Sequence, residues 1–419
     1  MQDDRIVALG ASLPPAGPGV RCLPCTDQLA LPGFVQGHLH VCQTLFRGWA
    51  EARRLARWLG ERILPLEARL DADRMRAAAA LGIAEALLGG ATTLVDMGSV
   101  HHTAVIAEVA ERMGVRAIVG KALMDVPADA PAALVQEGRV ALAEALALHE
   151  QWDGAGGGRL QVALAPRFTP AVSAGLWKRI AREAQRRGLL VHTHISETPW
   201  ENERCTQMHG APPVEMLERW GVLAARALLV HAIWITPAQR ALLARHGAGL
   251  VHCPGSNTKL GSGILDLPAL REAGVPVALG SDGAACNDEL AILSEMRLGA
   301  QLQNVTAGPG RIPAADWLQM ATGEGARAVG LAPEIGRLAV GAAADLQLYD
   351  PVACGWDPNA DPTHSLVYAA GGARPHAVWV AGQPRVWDGS LVGASLESIR
   401  GAAWEARAAW AASEEGGAG

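Results

Sequence analysis

Between residues 31 and 285 the chain alternates short apolar runs with longer stretches whose apolar positions recur at helical spacing. The runs are LPGFVQGHLH (31–40), TTLVDM (92–97), RAIVGKALM (116–124), LQVALAP (160–166), LLVHTHISE (189–197), ALLVHAIW (227–234), GLVHCPGSN (249–257) and VPVALGSDGAA (275–285). Short continuous apolar runs bounded by turn residues suit strands buried on both faces. Segments such as MRAAAALGIAEALLGG (75–90) and LWKRIAREAQRRG (176–188) are apolar every three or four residues and close on glycine, which predicts helices. Eight strand–helix units in about 250 residues predict an α/β fold, a (β/α)8 TIM barrel. A doubly wound open sheet is the alternative, and polar residues gathered at the strand ends favour the barrel.

The flanks read differently. DDRIVALGASLPP is a short strand and a Pro-rich turn, and 335–395 holds short strands joined by Gly-rich turns. The expected division is a small β-sandwich domain from 1–31 and 335–395, a barrel over 32–334, and a C-terminal amphipathic helix with a fraying tail over 396–419.

Composition narrows the class. Half of the 419 residues are hydrophobic, enough for a large core, and the formal net charge is -6. Without a basic stripe interleaved with aromatics, nucleic acid is not an expected partner. No run of eighteen uncharged apolar residues occurs, so a membrane span is not expected, and the acidic N-terminus does not read as a signal peptide. Seven scattered cysteines suit a reducing, cytoplasmic setting. Cys22 and Cys25 form a lone CxxC with no second pair to complete a zinc knuckle, and they are read as inert.

The chemistry gathers at the strand ends. His38 and His40 stand two apart on the first run, so a strand places both imidazoles on one face, where they can grip one ion. Alone, such a pair is equally a set of packed or surface histidines. On the fifth run His194 is a third nitrogen ligand, and Glu197 lies in the loop beyond, suited to shuttling protons above a metal. His192, one inward-facing pair deeper, reads as a packed core histidine. His231 ends the sixth run and Asp282 the eighth. Three histidines and a carboxylate make a mixed nitrogen–oxygen site for zinc, or for iron or manganese. Singly each has a bland reading; four sets at the ends of strands 1, 5, 6 and 8 argue for a site.

These residues, with LPGFVQGHLHVCQTLFRG, HTHISETPWE, VHCPGSNTKLGSG, GSDGAACND and IGRLAVGAAADLQLYD, resemble the amidohydrolase superfamily over nearly the whole chain. Within it, the likeness is to the aminohydrolases of 5'-methylthioadenosine and S-adenosylhomocysteine and to the related triazine chlorohydrolases. The resemblance implies that His38, His40, His194 and Asp282 bind one divalent ion, with water in the open position. His231 would orient that water and Asp282 accept its proton. Glu197 would protonate the ring nitrogen beside the amino-bearing carbon, and ammonia would leave. Binuclear relatives carry a carboxylated lysine on the fourth strand; LQVALAP has none, which favours one metal, although Lys121 stands on the third.

Three departures bear on the substrate. Arg57-Trp58 replaces a Glu-Trp pair whose carboxylate holds ribose hydroxyls, and an Arg cannot accept hydrogen bonds. Trp58 would wall a ring or thioether, or pack in the core. Pro166-Arg167-Phe168 is similar to guanine deaminases, where the Arg donates to a ring carbonyl. Cys286 replaces a common Ser, as a packing residue or a contact to the leaving group. Relative to the family pattern the chain starts about twenty residues late, as though one strand pair were missing. The leading expectation is a deaminase of an adenosine-type nucleoside such as S-adenosylhomocysteine, 5'-methylthioadenosine or 5'-deoxyadenosine. The alternatives are a guanine, pterin or triazine hydrolase and, from another class, a non-catalytic barrel scaffold. A small N-heterocyclic substrate and a homo-oligomer, dimer or tetramer, are the expected partners.

Overall fold

The computed structural model describes residues 1–13, 17–51, 53–127, 130–357 and 360–415. Pro14 and Pro15 of the expected turn and the Gly416–Gly419 tail lie outside them. The eight apolar runs become strands β2 (Phe34–His40), β3 (Ala91–Asp96), β4 (Arg116–Leu123), β5 (Leu160–Pro166), β6 (Leu190–Ile195), β7 (Arg226–His231), β8 (Gly249–His252) and β9 (Val277–Leu279), preceded by β1 (Leu29–Pro32). A two-residue strand β10 (Asp282–Gly283) follows β9 after Gly280 and Ser281. The parallel sheet runs β10-β2-β3-β4-β5-β6-β7-β8-β9, so the segment 277–283 pairs with β8 at its start and with β2 at its end and closes the ring.

The barrel interior is filled. One buried cluster takes Val35, Val95, Ile118, Ala163, Leu190, Leu228, Val251 and Ala278, so that every one of the eight strands contributes, with Val230 of β7 and Ala326, Val329 and Ile335 beside them. Strict alternation along β2 would put Val35 on the face opposite His38. The strand's register shifts between Gln36 and Leu39, and both are buried inside. Helices form where the spacing predicts them. Ala72–Leu88 starts at Asp71, whose carboxylate accepts the Arg74 N–H, and Ala174–Arg187 starts at Ser173 and stops at Gly188 in the left-handed region.

The chain ends meet in an antiparallel sheet, β1-β11-β12-β13-β14, with β11 (Leu346–Tyr349), β12 (Ala377–Val380), β13 (Gln383–Trp387) and β14 (Ser390–Leu391). It is one five-stranded sheet among the described residues, and helix Ala72–Leu88, rather than a second sheet, lies against β13 and β14. A buried bidentate pair, Arg116 Nε to Asp345 Oδ2 at 2.8 Å and Nη2 to Oδ1 at 3.3 Å, ties this sheet to the base of β4. No helix among the described residues is long and apolar enough to cross a membrane.

Candidate metal centre and active site

Strand ends bring His38, His40, His194 and Asp282 together, with one ligand atom from each inside a 4.8 Å span. His40 Nε2 stands 3.2 Å from His194 Nε2, and Asp282 Oδ1 is 3.3 Å from both His38 Nε2 and His40 Nε2. Ligands bound tetrahedrally to zinc at about 2.0–2.1 Å stand about 3.3–3.4 Å apart, so the spacing fits such an ion. The buried His38 Nε2 has no hydrogen-bond partner among the described residues, which also fits a ligand atom awaiting a cation. Burial pushes the His38, His40 and His194 imidazoles below the ordinary histidine value, which keeps them in the neutral form that binds metals.

Each group is held from behind. His194 Nδ1 donates to the Arg167 carbonyl at 2.6 Å, and His231 Nδ1 lies 2.8 Å from Asn257 Oδ1. Ser256 Oγ donates to Asp282 Oδ2 at 2.6 Å, and the Gly283 N–H donates to Oδ1 at 2.8 Å. Burial alone would push the Asp282 carboxyl up. The His38 imidazole 3.3 Å away, with His40 and His231 beside it, outweighs that and holds it well below the usual carboxylate range. Glu197 behaves oppositely: burial raises it, only partly offset by His231. Its Oε2 lies 3.6 Å from His231 Nε2, and its Oε1 accepts from Ser262 Oγ at 2.8 Å. Ser196, His231 and Asp282 all have positive φ (46°, 72° and 61°), backbone strain gathered at the site.

A cavity, partly open to solvent, adjoins the cluster. His40, His194, Glu197, His231 and Asp282 form one side, and Leu55, Ala56, Trp58, Leu59, Phe168, Trp200 and Leu260 form the apolar walls. The expected substrate residues divide. Trp58 and Phe168 line the cavity. Arg57 does not: on the same short helix it faces outward, its side chain 75% exposed and paired with Glu61. Arg167 reaches the wall but is buried and spent, donating twice to Glu67 at 2.5 and 2.9 Å while Glu67 also accepts from Gln43. Cys286 is buried beneath the Asp282 turn, its thiol donating to the Gly283 carbonyl, and is not among the lining residues. Lys121 points away from the cluster, to Val100, Gln136 and Glu144. His192 is buried but is more than packing, since its Nε2 lies 2.9 Å from His38 Nδ1.

Several residues of the site escape sequence reasoning. Ser256 and Asn257 sit inside the PGSN segment, and nothing in their separation of 26 residues from Asp282 and His231 marks them as partners of those residues. Glu201 accepts the Glu197 backbone N–H four residues back, burial pushing its carboxyl up to about 8. Glu67, one hundred residues from Arg167, leaves no local trace.

Comparison with known proteins gives this site a context. The model of the Amidohydrolase family matches residues 29–385. A 5-methylthioadenosine/S-adenosylhomocysteine deaminase of Archaeoglobus fulgidus is 36% identical over 374 residues, 88% of this chain and 85% of the relative. A 5'-deoxyadenosine deaminase of Methanothermobacter thermautotrophicus is 34% identical over 392 residues, 93% and 89% of the two chains. The crystal structure of an adenosine deaminase from Xanthomonas campestris with bound zinc is similar at a TM-score of 0.86 and 33% identity, covering 91% of this chain and 85% of that one. With the barrel closed, three histidines and an aspartate converging at its strand ends, and the match spanning both, the chain belongs to the amidohydrolase family of hydrolases.

Proposed function

We propose that the chain is a mononuclear zinc-dependent deaminase of an adenine-type nucleoside with an apolar 5' substituent, releasing ammonia. The observation that carries this reading is a buried Glu197, its carboxyl raised by burial, beside the His/Asp cluster in a cavity walled mainly by apolar side chains, with Gln43, Arg167 and Glu201 between them. Bound zinc supplies Lewis acidity that brings a water's pKa near neutrality. Asp282, held ionised, accepts the water's proton. His231, fixed by Asn257, orients that water between Glu197 and Asp282. Glu197 gives its proton to the ring nitrogen beside the amino-bearing carbon. The water oxygen bonds to that carbon, the C–N bond breaks, the amine leaves as ammonia with the proton Asp282 took from the water, and the proton of the new hydroxyl returns to Glu197 to leave a ring carbonyl.

The named relatives act on 5-methylthioadenosine, S-adenosylhomocysteine or 5'-deoxyadenosine. Trp58, Phe168 and the leucines offer this chain a flat, aliphatic surface for a purine and a short apolar group. The guanine, pterin or triazine reading leaned on Arg57, Arg167 and Phe168; Phe168 lines the cavity, but Arg57 faces solvent and Arg167 is committed to Glu67. For the same reason a charged amino-acid tail finds no free guanidinium in the cavity, and 5'-deoxyadenosine and 5'-methylthioadenosine fit better than S-adenosylhomocysteine. Four of the seven free cysteines are buried, which suits the reducing cytoplasm we assign to it, and a dimer or tetramer remains our expectation for its assembly.

Ammonia release over purines, nucleosides, pterins and triazines tests the substrate. The highest kcat/KM is expected for 5'-deoxyadenosine or 5'-methylthioadenosine; a best substrate among guanine or pterins, or none among nucleosides, overturns the reading. Elemental analysis should find about one divalent ion per chain. No bound metal, with activity indifferent to chelators, would reject the centre.

A further inference from the structure

Of the four imidazoles around the cluster, three have a hydrogen-bond partner on the nitrogen turned away from it. For His194 and His231 that partner is an oxygen, the Arg167 carbonyl at 2.6 Å and Asn257 Oδ1 at 2.8 Å. An oxygen acceptor leaves no choice: the facing ring nitrogen carries the proton, and the other presents its lone pair to the centre. His38 differs. Its Nδ1 faces His192 Nε2 at 2.9 Å, and an imidazole can either accept or donate.

We propose that His192 is a positioning residue of the metal centre: its Nε2 accepts the proton of His38 Nδ1 and so sets the tautomer in which His38 Nε2 can bind an ion. The two arrangements of this pair differ in consequence. If His192 donates, the His38 proton moves to Nε2, which lies 3.3 Å from Asp282 Oδ1 and closes a plain hydrogen bond onto it. The ligand position is then blocked. If His192 accepts, Nε2 offers a lone pair and Asp282 is free to share the ion. Nothing else holds His192 in either form, because its buried Nδ1 has no hydrogen-bond partner among the described residues. A fully buried imidazole with one committed nitrogen is a poor choice for packing alone. It becomes intelligible as the outer partner that metal-binding histidines ordinarily have. The placement is economical too. His192 and His194 share one inward face of β6, so a single strand supplies a ligand and the support of another ligand from β2, 154 residues away.

The inference rests on reading His38 as a ligand, and the test separates the two. Apo protein is titrated with zinc against a chromophoric chelator, in the wild type and in His38→Ala, His192→Leu, His192→Gln and His252→Leu. His252 is buried near the site and has no hydrogen-bond partner on either ring nitrogen among the described residues, so its replacement reports what losing a buried histidine does by itself. His192→Leu should weaken zinc binding about 10–100-fold. His192→Gln, whose carbonyl reaches the Nε2 position, should recover most of that loss, and His252→Leu should leave affinity unchanged. The cobalt-substituted visible spectrum should change in the Leu variant at position 192 and return in the Gln variant. Equal affinity in wild type and His192→Leu overturns the proposal, as does a Gln variant as weak as the Leu variant. Equal affinity in wild type and His38→Ala overturns the ligand reading itself. Should His192→Leu not fold, His192→Gln against the shorter His192→Asn decides, with affinity expected in the first and lost in the second.

Discussion

Glu197 and Asp282 share one cavity, and their surroundings drive the two carboxyls apart. Glu197 has one hydroxyl donor and an apolar wall, so burial dominates and favours the protonated form. Asp282 collects the Ser256 hydroxyl, the Gly283 N–H and a ring of imidazoles, which favour the charge. The proton carrier and the proton acceptor that we propose are thus distinguished by environment alone. Glu197→Gln keeps the shape and loses the proton. It should retain its metal by elemental analysis while kcat falls about 10²–10⁴-fold; near-normal turnover would assign the proton transfer elsewhere. Arg167 calls for a different expectation. Because it neutralises Glu67, Arg167→Ala leaves a carboxylate buried and unpaired, and should cost about 3–5 kcal/mol in urea unfolding. Adding Glu67→Gln should recover part of that loss. An unchanged midpoint in the single variant would show that the pair is not holding the wall.

At the scale of elements, the site depends on how the first and last strands meet. A Cβ on Gly280 would fall 2.9 Å from the His38 backbone nitrogen and oxygen and 2.8 Å from Val251, and one on Gly37 would fall 2.8 Å from the Ala278 Cβ. These glycines let β2 and the 277–283 segment approach closely enough to pair, which sets His38 and Asp282 side by side. Gly280→Ala must therefore push the closing strand outward. It should cost about 1–3 kcal/mol by thermal unfolding, as overpacking does, and should weaken zinc binding in the same chain. Lower stability with unchanged affinity would show that the seam and the centre are independent. The register shift in β2 belongs to this scale as well, since it lets Val35 fill the interior below while His38 and His40 face the His/Asp cluster.

Across the whole molecule, the C-terminal helix Leu396–Glu415 is part of the core rather than an appendage. It lies along helix Ala72–Leu88, and Trp410, fully buried, meets Phe46 edge-on at 5.3 Å and Trp49 at 6.2 Å, with the Arg74 guanidinium over its ring. Phe46 ends the short helix Val41–Phe46 that follows His40 and carries Gln43 into the cavity. Trp410→Ala should cost about 3–5 kcal/mol, read as a lowered unfolding midpoint. Because the loss lies behind the loop and not in the cavity, KM should rise more than kcat falls. A variant as stable as the wild type would make the helix a passive cover.

Much of this was legible in the residue order. Strand and helix periods predicted the barrel, since each element needs its own apolar face whatever its neighbours. The HxH, the His…Glu of the fifth strand, the lone His and the Asp stand at strand ends, and a barrel's geometry sends strand ends to one mouth. Other features were decided only by tertiary structure. Arg57 and Trp58 are adjacent in sequence, yet one helix turns the Trp into the cavity and the Arg to solvent. Whether Arg167 is free to meet a substrate depends on Glu67, and whether His192 is mere packing depends on His38. These pairings join residues 100 and 154 positions apart. Sequence period reports the face on which a side chain lies, which is a local property of the backbone. The partner that satisfies a buried charge or ring nitrogen is set by distance in space, and that exists only once the barrel has closed.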